Sequence, residues 1–239
     1  MGDEFYKIWV YLSTTPLLGL TVTLVAYQAG MWIYTRAKLN PLLNPVLLAV
    51  LMLVGLLMIT GTDYETYFEG AQFVHFMLGP ATVALAVPLY QQFQKVRGSF
   101  LRIMVAIVAG STAAALSAIG VAWVMGVSRE TLLSLAPKSV TAPIAMGIAE
   151  ATGGVPSLTA VLVILTGIIG AVLGTWTLNA CGVKDWRARG LAMGTASHGI
   201  GTARALQVNN VAGAFASLAM GLNGLATAIL LPVILGLIF

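Results

Sequence analysis

The chain has 239 residues, of which 59% are hydrophobic and only 8% charged, and its mean hydropathy is +0.93. A soluble domain carries about 25% charged residues, so the composition excludes an ordinary soluble protein and points to a membrane protein. The net charge of +4 falls in short loops between apolar runs, where it orients the chain rather than forming a nucleic-acid surface, and the lone Cys181 can form no disulfide within the chain.

The first apolar run, about 8–34, is too long for a signal-peptide core and has no convincing small-residue cleavage site before Trp32, so 10–34 is read as a retained span. PLLNP at 41–45 opens a second span over 45–60, with Asn44 as a helix-start residue and, secondarily, a polar contact. Asp63, Glu65, Glu69 and His75 read as boundary residues ahead of a third span, 71–94. Lys95, Arg97 and Arg102 precede a fourth, 103–126, and after the loop at 127–133 the next clear span is 156–181, closed by Lys184, Arg187 and Arg189. A last run covers 211–239. The positive-inside rule puts Arg36 and Lys38, Lys95 to Arg102, and Lys184 to Arg189 in the cytoplasm and leaves the N-terminus outside.

Two segments do not fit this alternation. The stretch 135–154, with Pro137 and Pro143 near one end and Gly153 and Gly154 at the other, must leave and return on one side, which predicts a re-entrant hairpin. The stretch 190–208, which contains GTASHGIGTARAL, is read as a second hairpin entering from the opposite side. The alternative is that one or both cross fully as unwound helices. The expected fold is therefore an all-α polytopic membrane protein forming one integral membrane domain over 1–239, with about six full spans plus two broken or re-entrant segments, or eight spans. LGPATVALAVPLYQQF and LAPKSVTAPIAMGIAE each set two prolines in a small-residue segment, though eight residues apart in one and six in the other. They leave an inverted repeat and elevator-like alternating access open. The Gly170 to Gly174 and Gly190 to Gly194 spacings read as close helix packing.

A charge at the centre of a bilayer costs about 2.5 to 3.5 kcal/mol on insertion scales, so a charged residue in a broken segment calls for a partner or a role. Lys138, beside Ser139 and Thr141 and just after Pro137, is placed to attract an anion at a helix start; the competing reading is a snorkelling surface lysine. A continuous helix would put Thr195, His198 and Thr202 on one face and Arg204 nearly opposite Thr202. Gly199 and Gly201 therefore become the expected break, turning Arg204 toward the site, where it would grip a carboxylate with two parallel hydrogen bonds. Otherwise Arg204 snorkels to the cytoplasm. His198 is a proton-exchange candidate or simply a hydrogen-bonded bundle residue, and Glu150 is a proton carrier or a solvated loop end. Ser197 precedes His198 in T-A-S-H-G, which is not a nucleophile elbow, and no phosphate loop, dinucleotide fingerprint or metal spacing appears. No catalysis, cofactor or metal is expected.

PLLNP at 41–45, ALAVPLY at 84–90, LAPKSVTAPIAM at 135–146, the GG-P-LTA run at 153–160 and RARGLAMGTASHGIGTARAL at 187–206 resemble the LrgB/CidB family, including its YohK-like branch of bacterial inner membranes, over nearly the whole chain. The resemblance implies one of two functions. One is an antiholin-like regulator of murein hydrolase activity and lysis, working with an LrgA-type membrane partner. The other, implied by the plastid glycolate/glycerate transporter that joins LrgA-like and LrgB-like halves and by bacterial members linked to pyruvate uptake, is transport of small 2-hydroxy or 2-oxo monocarboxylates. Paired broken segments with opposed cations favour the transporter, since a pore needs neither. In that reading Lys138 and Arg204 hold the carboxylate, while Ser139, Thr141, Thr195, Ser197 and Thr202 read the neighbouring oxygen. A homodimer is expected by analogy with elevator transporters.

Overall fold

The computed structural model describes residues 16–84 and 97–238, together with residues 87 and 90. Among the described residues all regular structure is helical. The elements are α1 (Pro16–Arg36), a 3-10 turn (Pro41–Leu43), α2 (Pro45–Thr60), α3 (Tyr64–Ala84), α4 (Phe100–Val124), α5 (Arg129–Leu135), α6 (Ala142–Thr152), α7 (Pro156–Ala180), α8 (Trp186–Val208) and α9 (Asn210–Ile238). The contacts divide the chain into two compact units, 1–84 and 85–239.

Leu17–Arg36, Phe100–Val124, Pro156–Ala180 and Asn210–Ile238 are long and apolar enough to cross a bilayer. The most apolar window of each of the last three is only 28% buried within the protein, and Val105, Val121, Ile169, Leu173, Ile229 and Val233 stand exposed. Water would not tolerate so much continuous oily surface, and lipid requires it. The protein is a multi-pass membrane protein. The predicted span 45–60 is present as α2, apolar but with 16 residues shorter than the other four. The predicted 71–94 is represented by α3 as far as Ala84; most of its remainder, and with it much of the second half of the LGPATVALAVPLYQQF copy of the suspected repeat, lies outside the described residues.

In the first unit, α1 packs on α2 and α3. The Thr23 and Tyr67 hydroxyls share a hydrogen bond of 2.6 Å. Asn44 does what its position before Pro45 predicts: its Oδ1 accepts from the N–H groups of Val46 (2.9 Å) and Leu47 (3.2 Å), which caps α2. Asp63 accepts from the Thr66 N–H and hydroxyl, both at 2.8 Å, and these bonds hold its carboxyl below the usual carboxylate range.

The second unit carries the broken segments. Contacts give its helices their directions: Ile103 and Ile107 of α4 cluster with Phe215 and Ala219 of α9, and Ala115, Ile119 and Ala122 with Leu231 and Leu235, so α4 and α9 run parallel. α7 runs against them. α5 and α6 lie at the end where α4 and α9 finish: Leu132, Leu133, Ala136 and Ile148 join the Ala115–Leu235 cluster. The Ser134 hydroxyl accepts from the Val155 N–H (2.8 Å) and the Ser134 carbonyl from the Thr159 hydroxyl (3.0 Å), which ties α5 to the start of α7. Pro137 lies in the turn between α5 and α6, Pro143 in the first turn of α6, and Gly153 closes α6 with φ 89°. Residues 129–152 thus form a helical hairpin with its tip at 137–141.

α8 is the opposite case. It starts at the other end of the bundle, where the Asp185 carboxylate caps it by accepting from the Arg187 N–H at 2.8 Å. The Arg187 guanidinium also holds that carboxyl, to about 2, so the cap stays ionised. Gly190 and Gly194 seat the Ala212 and Ala216 carbonyls of α9 directly against the α8 backbone, so the first half of α8 runs parallel to α9. The helix then breaks at Ser197 (φ −129°, ψ 17°) and His198 (φ 40°, ψ −134°). Beyond the break the chain returns: Gly201 comes back onto the Met193 carbonyl and Ser197, and Leu206 packs on Gly213 at the start of α9. Residues 186–208 are a second helical hairpin, entering from the end of the bundle opposite the first. The break falls before the predicted Gly199 and Gly201, because the conformational demand is met by His198 in a region that favours glycine. Gly201 contributes in another way, since any side chain there would collide with the returning arm.

Candidate functional site

The two hairpin tips meet. Asn223, in the middle of α9 and 1% exposed, donates one amide N–H to the Ser139 carbonyl (3.2 Å) and the other to the Thr195 carbonyl (3.0 Å). Both neighbours of Nδ2 can only accept, so the amide orientation follows from chemistry. Thr227, one turn along α9, lies 3.5 Å from Asn223 Oδ1, at the outer limit of a hydrogen bond, and shares a 2.8 Å bond with Ser111 of α4.

On the first tip, Lys138 is half-buried and its ammonium donates to the Ser139 hydroxyl at 3.2 Å. It lines an open surface groove of about 370 Å³ with Ser117, Leu135 and the exposed Val121 and Met125, toward the end of α4. Thr141 stands at the N-cap of α6, but its side chain makes no capping bond, so the helix start is not covered by its own hydroxyl.

On the second tip, His198 is buried, and its ring lies against Gly167 of α7. Its Nε2 is 2.8 Å from the Val163 carbonyl. A carbonyl only accepts, so Nε2 carries the proton, and in the neutral ring Nδ1 is left as an acceptor. Ser197 is buried where a methyl added to Gly170 would overlap its hydroxyl, so that side chain is spent on seating the tip against α7. Thr195 is buried with its methyl 3.4 Å from where a side chain on Gly110 would begin, and it lines a cavity of about 390 Å³ between α4 and α8. The Thr202 hydroxyl donates to the His198 carbonyl at 2.7 Å and faces the Ala216 carbonyl at 3.4 Å; it closes the break rather than facing a cavity.

Lys138, Ser139, Thr195, Ser197 and His198 are therefore brought to one level of the bundle, with Thr141 on the same tip. Arg204 is not among them. It is buried on the returning arm and lines a small cavity with Trp186, Arg189 and Met193 near the base of the second hairpin, apart from the groove that Lys138 lines. The predicted pairing of two cations on one ligand does not form in this conformation. The reason is the hairpin itself: the returning arm carries Arg204 six residues, or about 9 Å of helix, away from the tip and back toward the helix start. Glu150 is exposed at the far end of α6, and Asn44 serves as the α2 cap in the other unit. No group of three or more potential metal ligands occurs among the described residues.

Sequence reading missed Asn223, Thr227, Ser111 and the Ser134–Thr159 tie. The signal was available, since a buried amide in the middle of a long apolar run calls for hydrogen-bond partners, as a charge in a broken segment does, though at a smaller cost.

The LrgB-like family model matches residues 23–237. The holin-like protein CidB of Staphylococcus epidermidis is 33% identical over 223 residues, covering 93% of this chain and 97% of that protein. The antiholin-like protein LrgB of Bacillus cereus is 34% identical over 220 residues, covering 92% of this chain and 96% of that protein. No solved structure matches the chain.

Proposed function

The chain belongs to the LrgB-like family, and from that premise we propose that it carries small 2-hydroxy or 2-oxo monocarboxylates, of the glycolate, glycerate or pyruvate class, across the bacterial inner membrane by alternating access. The observation that carries this reading is the meeting of two helical hairpins, entered from opposite ends of the bundle, at Asn223.

The chemistry at that level favours an anion. Both returning arms, α6 and 199–208, begin at the tips, so two half-helix N-termini lie there with their free N–H groups and positive dipole ends. Tip carbonyls would oppose an anion, but the Ser139 and Thr195 carbonyls are already occupied by Asn223. Lys138 adds the only full positive charge on either tip. One cation and two helix starts suit a single carboxylate; Ser139 and Thr141 are the nearest hydroxyls to it along the chain, and Nδ1 of His198 accepts from a 2-hydroxyl or takes up a proton. Arg204 acts at the base of the second hairpin rather than in the clamp. The protein sits in the membrane with its N-terminus outside, and the hairpins supply the moving parts.

The relatives' names favour a second reading, an antiholin-like regulator of lysis that acts with an LrgA-type partner. Uptake of labelled glycolate, glycerate and pyruvate into proteoliposomes separates the two. Transport predicts uptake by the protein alone, reduced at least about tenfold in Lys138→Ala, since a hydrogen bond to a charged group is worth about 1.5 to 3 kcal/mol. Undiminished uptake in Lys138→Ala removes the site. No uptake of any acid, with uptake appearing only after reconstitution with an LrgA-type protein, makes the chain a subunit, and no uptake under either condition favours the regulator.

A further inference from the structure

The Asn223 side chain hydrogen-bonds to both tips, and its contacts have an unusual form. An asparagine has two N–H donors, and here each goes to a backbone carbonyl of a different hairpin, Ser139 at 3.2 Å and Thr195 at 3.0 Å. The two carbonyl oxygens are thereby held within about 6 Å of each other on a third element, α9. Because the acceptors are backbone atoms, no substitution at position 139 or 195 alone replaces the link. Asn223 is also fully buried, so a carbonyl that leaves it gives up a buried hydrogen bond. The Ser111–Thr227 bond braces the amide from the α4 side. The packing beneath it is close: Gly224, the next residue, leaves space that the Ile144 side chain of α6 fills.

We infer that Asn223 is the latch between the two hairpins, a positioning residue that holds both tips in the closed arrangement and must release one carbonyl for either hairpin to move. As a gate it rests on the transport reading; as a link between the tips it rests on geometry alone. The latch makes the closed arrangement an intrinsic preference of the protein before any ligand binds. It also places control of the tips on α9 rather than on either hairpin.

The test uses full-length protein in proteoliposomes with Cys181 replaced by serine and no carboxylate added. Spin labels at Gly147→Cys, where an added side chain meets nothing within 4 Å, and at exposed Ala196→Cys report the separation of the two hairpins. A second pair at exposed Val105→Cys and Ile169→Cys reports the α4–α7 frame. In Asn223→Leu, which has the same number and branching of side-chain heavy atoms and no donors, the hairpin pair gains a second population longer by about 5 Å, roughly one helical turn, while the frame pair keeps its distance. Asn223→Ser, smaller and unable to span both carbonyls, gives the same result and is decisive if the leucine variant does not fold. An unchanged hairpin distance in the folded variants overturns the latch. Broadening of the frame pair in both variants also overturns it, because Asn223 would then hold the bundle rather than the tips. Neither outcome depends on uptake, so a failed latch and a failed transport reading are told apart.

Discussion

The two hairpins reach the same level of the bundle by different means. The first, 129–152, is written locally: Ser128 caps α5, Pro137 lies in the turn, Pro143 starts α6, and Gly153 in a left-handed conformation ends it. Each of these is a residue type that prefers that backbone by itself. The second, 186–208, has no proline at its break, and its most strained residue is a histidine at φ 40°. What holds it is tertiary. The Val163 carbonyl fixes the ring, Gly167 and Gly170 of α7 make room for the tip, Gly201 lets the arm return, and Gly190 and Gly194 dock the outgoing arm on α9. A broken membrane segment is thus encoded either in its own turn residues or in the small residues of its neighbours, and the second kind stores strain at His198.

That contrast breaks most sharply at Gly170. A Gly170→Leu variant places a branched side chain where the Ser197 hydroxyl sits, against a tip with no local turn signal to retain its shape. Overpacking of this kind costs about 1 to 3 kcal/mol, and more where backbone cannot yield. Thermal unfolding in detergent should show a clear loss of stability, with the hairpin at 129–152 still protected from proteolysis. Equal loss of protection in both hairpins would show that the first is no more self-sufficient than the second.

A finer test sits at His198. Alanine removes the imidazole and keeps the strain, whereas glycine removes the imidazole and relieves it. His198→Gly should therefore be more stable than His198→Ala by about 1 kcal/mol or more, measured by thermal unfolding of the two variants side by side. If alanine is as stable as glycine, the positive φ is not a stored cost. Both variants lose the Nδ1 acceptor and should lose the same share of carboxylate uptake.

The same contrast explains what could be read from the amino-acid order. The apolar runs, the charged loops and the proline pair at 137 and 143 carry their meaning within a few residues, and the long helices and the first hairpin follow from them. Gly199 and Gly201 misled because a glycine marks where a backbone can bend, while the place where it does bend was chosen by the Val163 carbonyl and the α7 glycines, some thirty residues upstream. Arg204 was drawn toward the site by its charge, but an arm that folds back carries its residues away from the tip in proportion to their distance from the turn. Asn223 is marked by its polarity in a long apolar helix, but what it does depends on two carbonyls from two other segments, which no local pattern names.

Entry of the two hairpins from opposite sides is tested most directly by side-specific thiol labelling in oriented membranes. In a Cys181→Ser background, single cysteines at exposed Glu130 and Val155 bracket the first hairpin, and at exposed Lys184 and Val208 the second. With a membrane-impermeant maleimide, both members of the first pair should label from the outside only and both members of the second from the cytoplasm only. Labelling of Lys184 and Val208 from opposite sides would make 186–208 a full crossing and not a hairpin.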